Sequence, residues 1–118
     1  MHELSIATAI VERAEEVARQ HGVPAVSAVR VRVGEMAGVV ADALLFSFEV
    51  AREGTVAGTA RLLVEDVAAL ARCEPCGADF AVGTPPFLWC PACDRPASGL
   101  LSGRELEITA IEFEETAG

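Results

Sequence analysis

At 118 residues the chain is long enough for one or two small domains, and the 52% of its residues that are apolar can form a core. Nine basic residues, all arginine, face eighteen acidic ones, and the net charge of −9 argues against nucleic-acid binding, which needs clustered Lys and Arg. Residues 1–20 lack the pattern of a secretory signal, and no apolar run approaches the ~18 residues that span a bilayer. We therefore expect no membrane association and a location in the reducing cytoplasm.

The first predicted element is an amphipathic helix over residues 5–20. Apolar side chains recur there at helical spacing, namely Ile6, Ile10, Ala14 and Val17. Ser5 is a suitable N-cap and Gly22 a suitable C-cap for this helix. His21 lies in its last turn, where an imidazole interacts favourably with the helix dipole, so we do not interpret it as a metal ligand.

A strand, a second helix and a second strand follow. Residues 29–33 alternate valine with arginine, which predicts a half-buried strand with the valines inward. Residues 43–52 then form the second helix, which ends near Gly54, with the following side chains about one turn apart: Leu45, Phe48 and Arg52. Residues 60–67 form the second strand.

The last predicted strand, residues 105–113, has an interrupted apolar pattern. Leu106 and Ile108 have one parity along the strand, whereas Ile111 and Phe113 have the other. A straight strand would point one of these pairs at solvent, because successive side chains alternate between the two faces. We therefore predict a bulge or bend near Thr109 and Ala110.

This order of elements predicts an α+β fold, in which a small β-sheet carries both helices on one face and an inserted lobe leaves between two strands. The first five residues could add an edge strand. We expect the inserted lobe over residues 71–100 and the remaining domain over residues 1–70 plus 101–118. Residues 98–103 contain two Ser-Gly pairs, which are typical of a loop at the attachment point.

The chain's only four cysteines form two pairs separated by thirteen residues: Cys73, Cys76, Cys90 and Cys93. Two CxxC pairs at this spacing can bring four thiolates around one ion, and four thiolates fill the tetrahedral coordination of zinc. We expect Gly77 and Asp94 to take positive φ angles after each pair. Phe80, Phe87 and Trp89 could pack a small core over the metal. With four protein ligands the site has no open position, so we predict a structural zinc without catalysis.

Other interpretations of the cysteines are a thioredoxin-like dithiol, two disulfides or a rubredoxin-type iron centre. A redox dithiol needs one CxxC at a helix N-terminus, whereas this chain has two such pairs among loop residues. Disulfides are uncommon in a reducing compartment. Thiolate coordination suits both zinc and iron, so the spacing favours a metal more strongly than it identifies one.

A second metal site is predicted at the start of the chain. The Met1 amine and the amide nitrogen and imidazole of His2 can chelate one ion in fused rings, and the Glu3 amide nitrogen could complete the set. Four nitrogens in a plane suit Ni(II) or Cu(II) rather than zinc. Protons compete for these nitrogens, so such a site is acid-labile and can release its ion without unfolding the protein.

Three features of the sequence together resemble the HypA/HybF hydrogenase nickel-incorporation proteins. These are the opening Met1-His2-Glu3-Leu4-Ser5, the Val33-Gly34-Glu35 segment and the two cysteine pairs. The resemblance implies an α+β nickel domain with a zinc-ribbon lobe. It also implies nickel carried as cargo at His2 and a structural zinc on the four cysteines. The implied partners are a HypB-type GTPase and the precursor of the [NiFe] hydrogenase large subunit.

The resulting functional hypothesis is a nickel metallochaperone for [NiFe] hydrogenase maturation that works with a partner GTPase. We do not expect an enzyme, because the sequence offers no nucleophile–base pair, phosphate-binding loop or open metal site. The alternative is a zinc-ribbon adaptor that binds other proteins and has no nickel role. A small metalloenzyme or redox protein is disfavoured by the spacing of the cysteine pairs.

Overall fold

A computed structural model describes residues 3–83 and 85–113. Its dimensions are 60 × 27 × 18 Å, and no helix in this part of the chain is both long and apolar enough to cross a bilayer. The α+β class is confirmed, with two helices and six strands in this order: α1 Glu3–His21, β1 Val26–Gly34, α2 Ala41–Ala51, β2 Arg61–Val67, β3 Leu70–Cys73, β4 Ala78–Ala81, β5 Gly99–Ser102 and β6 Leu106–Phe113.

Helix α1 begins earlier than predicted. Residues 3–5 are already helical, so the expected edge strand is wrong for them and Ser5 is not the N-cap. The acidic Glu3 lies in the first turn, where the helix dipole favours a negative charge. The predicted C-cap is confirmed, since Gly22 has a φ of +64° and the Val23 N–H donates to the Ala18 carbonyl at 3.0 Å.

Three strands form the first sheet in the order β2-β1-β6, with β1 parallel to β2 and antiparallel to β6. The predicted inward valines of β1, Val29, Val31 and Val33, are buried against side chains of both helices. On the opposite face, Arg32 pairs with Glu65 and Glu107, each at 3.1 Å. One face of the sheet therefore carries the helices and the other is charged.

The predicted irregularity in β6 is confirmed. Arg30 pairs with Ala110 and Val31 with Ile108, so Thr109 is an extra residue on the β6 side. This β-bulge changes the parity of the strand. Ile108 and Ile111 consequently both pack against the main core.

Helix α2 begins two residues earlier than predicted and ends one residue earlier. It starts at Ala41, and the residues of its inner face are Leu44 and Phe48, which are spaced one helical turn apart. Of the side chains expected about one turn apart, Phe48 is buried, whereas Leu45 is 38% exposed. Consecutive residues point about 100° apart on a helix, so Leu45 lies to one side of the inner face formed by Leu44 and Phe48.

A second sheet, in the order β4-β3-β5, surrounds the cysteines. Residues 98–103, expected to be a loop, include the strand β5, in which Gly99 pairs with Arg72. The apolar cluster of this sheet has three buried residues, Ala69, Ala71 and Val82. We call the second sheet with its cysteines, residues 70–102, the thiolate lobe, and α1, α2 and the first sheet the helical lobe.

Helix α1 lies along β6 and runs in the same direction. The rings of His21 and Phe113, at the ends of these two elements, have centroids 5.2 Å apart. A groove of about 630 Å³ separates the two elements, and Ile6 and Leu106, near their starts, also line it. The start of α1 therefore lies toward the Leu106 end of β6, which is the end nearer the thiolate lobe in the chain.

Candidate metal centre

Each cysteine pair is placed by a tight turn of the backbone. Cys73 is the last residue of β3, and the Gly77 N–H donates to the Glu74 carbonyl at 3.3 Å. In the second pair, the Asp94 N–H donates to the Cys90 carbonyl at 2.9 Å. Gly77 and Asp94 have φ angles of +67° and +57°, as predicted. The left-handed residue reverses the chain after each pair, so that both sulfurs of a pair face one point.

The four sulfurs converge. All of them lie within 4.8 Å of one another, with 3.3 Å between the Sγ atoms of Cys73 and Cys93 and 3.4 Å between those of Cys76 and Cys90. A tetrahedral zinc site with Zn–S bonds of about 2.3 Å has sulfurs about 3.8 Å apart. The arrangement therefore fits a single tetrahedral ion. In the described residues, no other group of three or more His, Cys, Asp or Glu side chains could hold a metal ion.

The first cysteine pair has pKa values above the ordinary thiol value. Backbone N–H groups of Cys76 and Ala78 lower the pKa values of the Cys73 and Cys76 thiols respectively, because they stabilise negative sulfur. Contacts with two of the three neighbouring sulfurs, together with burial, oppose them, and the resulting pKa is raised for both thiols.

In the second cysteine pair, the pKa of one thiol is lowered and that of the other is raised. Burial raises the pKa of the Cys90 thiol, but backbone N–H groups of Cys93 and Ala92 lower it, and the resulting pKa is about 7. The Cys73 sulfur lowers the pKa of Cys93, whereas burial and the other two sulfurs raise it, so that the pKa is raised overall. Four adjacent thiolates thus require a bound cation, and a divalent metal would supply that charge and displace the protons.

The expected aromatic core over the metal does not form. Phe87 is 60% exposed and Trp89 is 45% exposed, so that prediction is wrong for both. Phe80 alone is partly buried, against the cluster of Ala69, Ala71 and Val82. Short strands and turns in this lobe leave too little apolar surface to cover two more large rings.

The predicted nickel ligand His2 lies outside the described residues. The nearest described residue is Glu3, whose Oε2 atom is buried without a hydrogen-bond partner among the described residues. The sequence predicts a first-turn acid at Glu3, which is confirmed, and a backbone nitrogen for the metal, but it does not predict the burial of this carboxylate. The only signal for it was its position next to His2.

The other histidine takes the structural role predicted for it. His21 Nδ1 lies 2.9 Å from the Val17 carbonyl oxygen in the last turn of α1, where the ring can donate to that carbonyl. It is eighteen residues from Glu3 along the helix, or about 27 Å at 1.5 Å per residue. His21 is therefore too far from Glu3 for the two side chains to share an ion.

Comparison with known sequences decides the family. A family model described as "Hydrogenase/urease nickel incorporation, metallochaperone, hypA" matches residues 1–113. The chain belongs to the HypA family. Its relatives include the hydrogenase maturation factor HypA of Streptomyces avermitilis, 49% identical over 116 residues that cover 98% of this chain and 88% of the relative. The HypA of Chloroflexus aurantiacus is 48% identical over 112 residues, which cover 95% of this chain and 98% of the relative.

Solved HypA structures share the fold. The solution structure of the Ni metallochaperone HypA from Helicobacter pylori has a TM-score of 0.64 at 23% identity and covers 95% of this chain and 97% of its own. A second HypA solution structure has a TM-score of 0.70 at 23% identity, with 97% of each chain covered. The resemblance drawn from the opening residues, Val33-Gly34-Glu35 and the cysteine pairs is thus confirmed at the level of the family and of the fold.

Proposed function

We propose that this HypA-family chain is a nickel metallochaperone, which delivers Ni(II) during maturation of [NiFe] hydrogenase and works with a HypB-type GTPase. The observation that carries the proposal is the match of residues 1–113 to the family of nickel-incorporation metallochaperones. Nickel is held at the start of the chain, with His2 as the imidazole ligand. The receiving protein is the precursor of the hydrogenase large subunit.

The four cysteines hold a structural zinc in this proposal. The convergence of the sulfurs within 4.8 Å supports a tetrahedral ion, and four protein ligands leave no position for a substrate or a water nucleophile. The zinc therefore shapes the lobe and carries out no reaction, and the chain itself is not an enzyme. Any nucleotide hydrolysis belongs to the partner GTPase.

We assign nickel binding and zinc binding to two different parts of the chain. Residues 1–70 plus 101–118 form the nickel-binding domain and residues 71–100 the zinc-ribbon domain. The main apolar cluster, which draws only on residues 1–70 and 101–118, supports this division. We place the protein in the cytoplasm, where reduced cysteines persist, and propose no binding to nucleic acid or membrane.

A nickel titration of the untagged, zinc-loaded protein tests the cargo site. We expect uptake of about one Ni(II) per chain, and we expect that uptake to be lost in His2→Ala and when extra residues precede Met1. Zinc content should be unchanged in both, because the two sites share no ligand. His21→Ala is the matched control and should bind nickel normally.

Unchanged nickel uptake in His2→Ala would remove His2 from the site. The zinc assignment is tested separately by metal analysis and by visible absorption, because zinc thiolates are colourless and iron thiolates are not. A coloured protein with iron on the four cysteines would contradict the assignment without affecting the nickel result.

The second candidate is a zinc-ribbon adaptor that binds another protein without a nickel role. The exposed Phe87 and Trp89 of the thiolate lobe favour it, because exposed aromatic side chains are enriched at protein interfaces. Failure of the untagged wild-type chain to bind Ni(II) at all would leave this candidate in place of the chaperone.

A further inference from the structure

Three segments of the chain meet between the two lobes, and together we call them the joint: residues 34–36, 67–70 and 102–105. Two of these segments are covalent connections between lobes, since 67–70 leads from β2 into β3 and 102–105 leads from β5 into β6. The third, residues 34–36, begins with the last residue of β1 and belongs to neither connection. Two connections alone would form a hinge, so the contacts of the third segment decide how freely the lobes can turn.

The third segment is hydrogen-bonded to both connections. The Glu35 N–H donates to the Val67 carbonyl at 2.9 Å, and the Gly34 N–H donates to the Glu105 carbonyl at 2.7 Å. The Met36 N–H donates to the Gly103 carbonyl at 2.7 Å, and its side chain packs against the apolar cluster of the thiolate lobe. The bonds of Glu35 and Gly34 continue the β1-β2 and β1-β6 ladders of the first sheet, whereas the Met36 contacts reach the connection that leads out of the thiolate lobe. Rotation of one lobe against the other would break the Met36 contacts.

The backbones in the joint are too close for side chains. A Cβ atom on Gly34 would overlap the carbonyl of Gly103, and a Cβ on Gly103 would lie 2.7 Å from the Cα of Ala69. Gly103 also has a φ of +116°, a conformation that L-residues with side chains rarely adopt. Both positions therefore require glycine, and the three segments are in direct backbone contact.

One side chain fixes the conformation of Gly103. Glu105 Oε1 accepts a hydrogen bond from the Gly103 N–H at 2.7 Å. Bonds from the Glu105 and Gly103 N–H groups hold the pKa of this carboxyl below its usual range, assisted by the charge of Arg32. Across the joint, the Ser102 hydroxyl donates to the Ala68 carbonyl at 2.8 Å, which ties the two covalent connections to each other.

We propose that the joint is a rigid coupling, which holds the thiolate lobe in one orientation relative to the helical lobe. Glu105 is the positioning residue, because its carboxylate fixes the backbone of Gly103 in the joint. The start of α1 lies toward the Leu106 end of β6, directly after the joint in the chain. The coupling therefore also fixes where the thiolate cluster stands relative to the start of α1. This inference does not depend on which metal either site carries.

Residual dipolar couplings of backbone amides in the zinc-loaded protein test the coupling directly. A rigid joint requires that amides of β1, β2 and β6 and amides of β3, β4 and β5 fit one common alignment tensor. In Glu105→Ala we expect loss of the common tensor, while each sheet still fits a tensor of its own. Glu105→Gln retains an oxygen that can accept from the Gly103 N–H and should keep the common tensor.

Glu107→Ala is the matched control. It removes a glutamate two residues further along β6 that pairs with Arg32 at 3.1 Å and makes no contact in the joint. We expect it to keep one tensor. Two different tensors in the wild-type protein would overturn the rigid coupling, and a single tensor in Glu105→Ala would overturn the role of Glu105.

Discussion

The helical lobe and the thiolate lobe of this HypA-family protein are each stabilised by a different kind of interaction. The helical lobe buries a continuous cluster of apolar side chains from α1, α2 and the first sheet, including the fully buried Leu44 and Phe48. In the thiolate lobe the buried apolar cluster consists of two alanines and a valine. A segment of about thirty residues with so small a core needs a further source of stability, and the four converging cysteines provide the ligands for a stabilising metal ion.

This difference predicts that losing a metal ligand has the largest effect. In Cys73→Ser we expect release of zinc and loss of the β3-β4-β5 sheet, because structural zinc contributes on the order of 10 kcal/mol to folding. The helical lobe should persist on its own core. Amide hydrogen exchange reads both lobes in one experiment, and Leu101→Ser, an exposed change in the same lobe, is the control. Collapse of α1 and β1 in Cys73→Ser would show that the lobes do not fold independently.

The next largest effect lies in the helical lobe. Phe48 is 1% exposed and Phe46 is 67% exposed, so the two phenylalanines of α2 form a matched pair. We expect Phe48→Ala to lower the free energy of unfolding by about 3–5 kcal/mol and Phe46→Ala to change it by less than about 0.5 kcal/mol. Denaturant unfolding followed by the helical signal measures both. Equal effects would contradict the described face of α2.

A smaller effect is expected in a turn of the thiolate lobe. Gly77 has a φ of +67°, and no atom lies within 4 Å of the position that a Cβ would take there, so alanine would cost only backbone strain. That strain is roughly 1–2 kcal/mol, which corresponds to about 5–30-fold easier removal of zinc by a competing chelator. Gly99→Ala is the control, because Gly99 also has free space but no positive φ. Identical zinc retention in Gly77→Ala and Gly99→Ala would contradict the proposal that the turn needs glycine for its positive φ angle.

The smallest effect concerns the charged face of the first sheet. Arg32 and Glu107 form an ion pair at 3.1 Å, but their side chains are 38% and 52% exposed. We expect Glu107→Gln to lower the free energy of unfolding by less than about 1 kcal/mol, because solvent screens exposed pairs. The difference should shrink further in about 1 M salt. A large, salt-independent loss would mean that this face contributes to stability as a buried core does.

How much the sequence predicts depends on how local the signal is. The positive φ angles of Gly77 and Asp94 and the bulge at Thr109 were predicted correctly, because each is read from a few neighbouring residues. Cysteine spacing likewise predicted the convergence of the four sulfurs. The assignment of His2 as nickel ligand stays a prediction, since His2 is outside the described residues.

The wrong predictions depended on tertiary packing. The sequence alone also leaves open whether Leu44 or Leu45 faces the core, because both are apolar and the packing of α2 on α1 decides it. Phe87 and Trp89 were expected inside because they are aromatic, yet the short strands around them offer no surface to cover them. The strand β5 was missed because serine and glycine usually mark loops, whereas here pairing with β3 keeps them extended.

The bulge at Thr109 has a consequence for how copies of this protein behave at high concentration. Strand β6 forms an open edge of the first sheet, and an unprotected edge offers its free N–H and C=O groups as a template for aggregation. The extra residue interrupts the regular pairing of β6, and the outward Glu107 and Glu112 place charged side chains along it, in ion pairs with Arg32 and Arg30. Bulges and charges on an edge strand hinder the pairing of a further strand, so the irregularity that keeps Ile108 and Ile111 inward also makes this edge a poorer template for aggregation.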